Sequence, residues 1–145
     1  MDSAVQEFEN LTQQDMAFLE RLGGNLPFLA DLSLADVTVY CLRSSGEATA
    51  IAQARPHSIM PIHAEALIGK PITAEDDPAV FRALTTGRRS NGQRDLPGRE
   101  VTVFQEVWPL WTAKRRALAA VSIETSLLER ERHLRRGKVF SQALR

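Results

Sequence analysis

The apolar positions fall into two rhythms. From Val5 through Phe8, Leu11, Met16, Phe18 and Leu19 to Leu22 they recur at helical spacing, gathering at 100° per residue into a stripe of roughly 160°. Ser3 and Gln6 have capping-box spacing at the start. Gly23-Gly24 is the expected stop. Val37 to Leu42 is then an unbroken run of β-formers, read as a buried strand. Asp31 and Ser33 sit just before it, in a turn of helix or a loop. Ser44-Ser45-Gly46 makes a turn, and Ala48 to Ala54 returns as the second strand of a hairpin. Arg55-Pro56 ends it, because proline cannot donate to a central ladder. Ser58 to His63 reads as a third short strand at an edge.

Asp77 suits an N-cap and Pro78 the first position of a short helix, with Val80, Phe81, Ala83 and Leu84 on its apolar side and Gly87 as its stop. Residues 87–98 read as a polar loop carrying Arg88, Arg89 and Arg94. Val101 to Leu110 alternates, with Val101, Val103, Gln105 and Val107 on one face. Ala117 to Glu124 returns as a strand. From Thr125 the pattern is helical, with Leu127, Leu128 and Leu134 as anchors. Two hairpins with helices before, between and after them predict an α/β (α+β) fold. The expected sheet is mostly antiparallel, of about five strands, with helices on both faces. The terminal helices are expected to share one face.

The chain has 145 residues, of which 43% are apolar and 25% charged, the size and balance of one ordinary domain. Eighteen acids match eighteen bases, which argues against a nucleic-acid partner held by general attraction. The neutrality is polar along the chain. Residues 1–36 hold seven acids and one base, and residues 109–145 nine bases and three acids. No apolar run approaches the ~20 residues of a membrane span. The acidic start lacks a signal-peptide pattern. One cysteine, Cys41, leaves no internal disulfide framework and no multi-cysteine zinc site. A cytoplasmic location is expected.

Specific catalytic motifs are missing: the sequence has no Gly-rich dinucleotide or P-loop fingerprint, no HExxH and no GxSxG. His57 and His63 flank Pro61 and read as loop histidines rather than metal ligands. His133 sits among arginines in the last helix, and a phosphoacceptor role would need an exposed face there. Cys41 falls in the predicted core strand, where a thiol is a small hydrophobe. Arg55 has two readings: it locks a corner by reaching Asp31 or Asp36, or it contacts a ligand at a pocket mouth. Tyr40 belongs to the core and would line a pocket if one exists. Arg88, Arg89 and Arg94 are either solubilising or a phosphate clamp.

The run Ala30 to Asp36 (ADLSLAD) before a strand resembles the N-terminal sensor domain of bacterial two-component histidine kinases of the PdtaS type. AQARP (Ala52 to Pro56) is similar too, as are EALIGKPI (Glu65 to Ile72) and the closing hairpin from Arg99 to Thr125. The resemblance covers roughly residues 20–135. It implies a GAF-like fold that senses and does not itself phosphorylate, with PAS and kinase domains following in the same chain. The chain departs from the family pattern at Trp108-Pro109-Leu110-Trp111.

The expected organisation is a sensor domain over residues 1–124 and the start of a connecting helix over 125–145. The candidate ligand residues are Tyr40, Arg55, His57 and Arg88, with no metal site and no resident cofactor. A homodimer is expected through Val5, Met16, Leu127 and Leu134, with Trp108 and Trp111 as further anchors. Three other readings compete: a stand-alone small-molecule or protein-interaction module, a haem-bound sensor with His57 or His63 as axial ligand, and a GAF-scaffold enzyme such as a methionine sulfoxide reductase. The last would need more than Cys41.

Overall fold

The computed structural model describes residues 11–57, 62, 63, 65–95, 101–111 and 117–127. Helix α1 runs Gln13–Ser33. It is capped at Thr12, where Thr12 Oγ1 accepts from the Asp15 amide and the Asp15 carboxylate accepts from the Thr12 amide, both at 3.1 Å; the predicted Ser3 cap lies outside the described residues. Gly23-Gly24 does not stop it, and neither does Pro27. Two glycines cost the helix about 1 kcal/mol each. That cost is outweighed because Leu19, Leu26 and Ala30, on both sides of the pair, are fully buried on the sheet. The helix ends instead at Leu34, a left-handed residue with φ 54°. The Ala35 amide there closes back on the Ala30 carbonyl at 3.1 Å.

Six strands follow: β1 (Asp36–Leu42), β2 (Ala48–Ala54), β3 (Pro71–Ile72), β4 (Ser90–Asp95), β5 (Thr102–Trp111) and β6 (Ala117–Ser126), with helix α2 (Pro78–Thr86) between β3 and β4. They form one antiparallel sheet ordered β3-β2-β1-β6-β5-β4. The sixth strand is the one the sequence reads as a loop. Ser90 to Asp95 has no apolar side chain, but an edge strand needs only a ladder, and β5 supplies it from Val107 to Thr102. The short third strand is Pro71–Ile72. Ile62 and His63 lie outside any strand, and the rest of the predicted Ser58–His63 strand lies outside the described residues. β6 continues to Ser126, two residues past the predicted strand end at Glu124, and helical backbone begins at Leu127.

The two helices take opposite faces. Under α1 lie Val37, Val39, Cys41, Ile51, Leu118 and Val121. Under α2 lie Tyr40, Ala48, Ala50, Val107 and Ala120. A bulge between Val39 and Tyr40 in the β1–β2 register puts both Ile51 and Ala52 on the α1 side. Trp108 and Trp111 are three positions apart on β5 and so fall on opposite faces of the sheet. Trp108 pairs with Val121 of the α1 side, whereas Trp111 lies against Gly87, the left-handed C-cap of α2. The two are therefore not one aromatic patch.

Candidate functional site: a buried charged network beneath a strap

β1 presents Asp36, Thr38 and Tyr40 toward the α2 side, alternating with Val37, Val39 and Cys41 toward α1. Register then assembles two polar rows. Asp36 faces Glu124 of β6, which faces Gln105 of β5. Beside them, Gln53 of β2 faces Thr38, and Thr38 faces Ser122. Asp36, Thr38, Gln105, Ser122 and Glu124 are all buried, with Glu124 wholly out of solvent. An ionised carboxylate at such depth must be compensated.

Compensation comes from two sides. Arg94, on β4, donates from Nη2 to Glu124 Oε2 at 2.8 Å and lies 3.7 Å from Asp77 Oδ2. His63 contacts Glu124 Oε1 through Nε2 at 2.9 Å. Burial alone would raise the Glu124 pKa, but the His63 hydrogen bond and the Arg94 charge outweigh it, holding the carboxyl below its ordinary value. Burial lowers the Arg94 guanidinium less than Glu124 and Asp77 raise it. Asp77 is pushed up by burial despite Arg94 and the Gln105 amide, which donates to it at 3.1 and 3.2 Å and to Ser122 Oγ at 2.9 Å. Burial also raises Asp36 and, with Glu124 and Asp77 nearby, Tyr40.

A strap crosses this face. The amides of Ile62 and His63 both donate to the Asp36 carboxylate at 2.9 Å. The Leu67 amide donates to Gln53 Oε1 at 2.8 Å. Ile68 bridges Ala50, and the Gly69 amide reaches the Ala50 carbonyl at 3.0 Å. Ile62, His63, Leu67, Ile68 and Gly69 are thus pinned to β1, β2 and β6 by two acids, an amide and backbone.

Of the residues singled out in the sequence, Tyr40 and Arg94 belong to this network. His57 does not. It is exposed, and both its backbone amide (2.7 Å) and its Nδ1 (2.8 Å) engage Asp31, whose pKa the amide chiefly lowers. Of the two acids that Arg55 was expected to reach, Asp31 accepts from His57, and Asp36 accepts from the strap amides. Arg88 is exposed at the end of α2, its amide on Thr86 Oγ1 at 3.3 Å. Arg89 stacks 4.2 Å from the Trp108 ring centroid and pairs with Glu106 at 3.2 Å. Cys41 is on the α1 side, its thiol pushed by burial up to about 12. Met16 is half-buried against the α1-side core, as is Leu22. Val5 and Leu134 lie outside the described residues. Sequence reasoning did not single out Glu124, Gln105, Ser122, Thr38 or Gln53. Their signal was a polar residue recurring on the inward phase of otherwise apolar strands.

Comparison with known proteins decides the family. The family model for the GAF domain of histidine kinase PdtaS matches residues 1–143. The chain belongs to the PdtaS GAF-domain family. Among solved structures, this GAF domain is similar to the sensor region of a sensor histidine kinase, at TM-score 0.66 and 20% identity over 84% of the chain. The domain spans 40% of that protein's length. Weaker likenesses are an IclR-type transcriptional regulator from Alicyclobacillus acidocaldarius (TM-score 0.48, 10% identity, 76% of this chain and 63% of that one) and the PAS domain of Bordetella pertussis BvgS (TM-score 0.44, 18% identity, 82% and 96%). No curated protein matches the GAF domain.

Proposed function

We propose that this GAF domain is the cytoplasmic signal-input unit of its histidine kinase. It works without catalysis of its own, by exchanging a bound and an unbound arrangement of the strap. One observation carries the reading: the strap is tied through His63 to Glu124, and β6 leads from Glu124 to helical backbone at Leu127 in three residues. A ligand that shifts the strap would act directly on the strand that leaves the domain. A sensor needs such a shared element between input and output. The sensor unit of residues 1–124 would hand over to a connecting helix in 125–145. Tyr40 lines the ligand layer in this reading, with Arg55 at its edge. His57 and Arg88 are exposed, and in this reading would meet a ligand only from outside.

A homodimer fits the proposal. α1 leaves Phe18, Phe28 and Leu32 39%, 70% and 66% exposed, on an outward stripe available to a second copy. Among the described residues no helix is long and apolar enough to cross a membrane, which is consistent with a cytoplasmic place. The test is autophosphorylation by the intact kinase with and without residues 1–126. A changed basal rate supports an input role. An unchanged rate, under every growth extract applied to both forms, rejects it.

A further inference from the structure

We propose that the layer between the strap (Ile62, His63 and residues 65–70) and the β2–β1–β6 face takes a small uncharged molecule rich in hydrogen-bond acceptors, such as a carboxamide, and discriminates against anions. This rests on the ligand-sensing reading above and names the chemistry of its ligand.

The first argument is unmet hydrogen bonding. Thr38 is wholly buried, and its Oγ1 has no partner. Its cross-strand neighbour Gln53 uses Oε1 for the Leu67 amide, which fixes the side-chain amide and leaves its buried Nε2 with no partner. Arg94 Nε is a third such atom. Buried polar groups are almost always satisfied, so neighbouring exceptions point to something that completes them. Thr38 and Gln53 side chains on directly opposed positions stand about 5 Å apart, within reach of one small molecule. Two of the three atoms only donate, and the third can. What they lack is an acceptor. A fourth orphan, Thr49 Oγ1, pairs in register with Cys41 on the α1 side and takes no part.

The second argument is charge. The groups facing this layer are Asp36 on β1, Asp77 at the start of α2, Glu124 on β6, Arg94 on β4, His63 on the strap and the Tyr40 phenol. Three carboxylates meet one guanidinium and one imidazole. Arg94 is already shared between Glu124 and Asp77. A phosphate or carboxylate would enter a face with surplus negative charge and no uncommitted cation. A neutral carbonyl meets the donors without that repulsion.

The experiment is an NMR titration of the 145-residue chain with three matched pairs: nicotinamide and nicotinate, benzamide and benzoate, acetamide and acetate. We expect at least one amide to shift the Thr38, Gln53 and Leu67 resonances saturably, at least tenfold more tightly than its carboxylate. Thr38→Val should weaken that binding at least tenfold. Gln53→Glu, which keeps an acceptor for Leu67 but removes the free donor, should do the same and covers the case in which Thr38→Val fails to fold. A carboxylate shifting the same resonances as tightly as its amide would overturn the proposed chemistry while leaving the site in place. If none of the six compounds at about 10 mM, the weak limit of specific binding, moves these resonances, or if shifts appear only elsewhere, the site itself falls and ordered water alone satisfies the orphans.

Discussion

Glu124 lies 2.9 Å from His63, sixty-one residues away in the chain, and the pair fastens the strap to the far end of β6. Glu124 is the network's hub, because Arg94 reaches its other oxygen at 2.8 Å. A buried hub of this kind is costly to break from one side, since the partner is left charged and unpaired.

Glu124→Gln should therefore cost about 3 kcal/mol at neutral pH, read from urea unfolding. The pH dependence has a definite sign. The folded-state pKa of Glu124 is depressed, so its contribution is present above the ordinary value of 4.5 and is lost as pH falls through the lower folded value. The stability gap between wild type and Glu124→Gln should shrink below pH 4.5. A gap that widens on acidification would contradict the network's charge assignment.

Gly87 has φ 66°, and a Cβ built there would fall inside the Trp111 indole. Gly87→Ala should destabilise by about 2 kcal/mol, part from the left-handed backbone and part from the displaced ring. Gly87→Ala in a Trp111→Ala background should cost only about 1 kcal/mol, the backbone share. Equal costs in both backgrounds would remove the ring from the explanation.

Much of the fold was legible because buried strands announce themselves. Val37–Leu42 and Ala117–Glu124 are apolar enough to be read without partners, and Asp77-Pro78 with Gly87 bracket α2 at both ends. What failed to show was set by neighbours. Ser90–Asp95 is a strand only because β5 offers a ladder, and α1 passes Gly23-Gly24 only because Leu26 and Ala30 have a sheet to bury against. The site was harder still. Tyr40 and Arg94 attracted notice by type, but Glu124, Gln105, Ser122 and Thr38 come together through cross-strand register, which no local pattern encodes.

Cys41 is buried on the α1 side with its thiol pushed up to about 12. It should resist a thiol reagent at about pH 8, where an exposed cysteine is partly thiolate. Labelling should proceed only at the rate of unfolding and become immediate in denaturant. Fast native labelling would show that α1 opens locally.

The homodimer reading separates Phe28 from Met16. Phe28 is 70% exposed, whereas Met16 packs on the core beneath α1. Sedimentation at micromolar concentration should find Phe28→Glu monomeric with unchanged stability. Met16→Glu should instead lower the melting temperature, because it buries a charge. A dimer that survives Phe28→Glu would place the contact on another surface.

The most direct test of the central claim is His63→Ala in the intact kinase. This change cuts the tie between strap and β6 while leaving Glu124 with Arg94. Autophosphorylation should change by about fivefold or more, the scale of a coupling between two sites, with the domain still folded by circular dichroism. A rate indistinguishable from wild type in a folded protein would contradict a signal path from the strap through Glu124 to the outgoing strand.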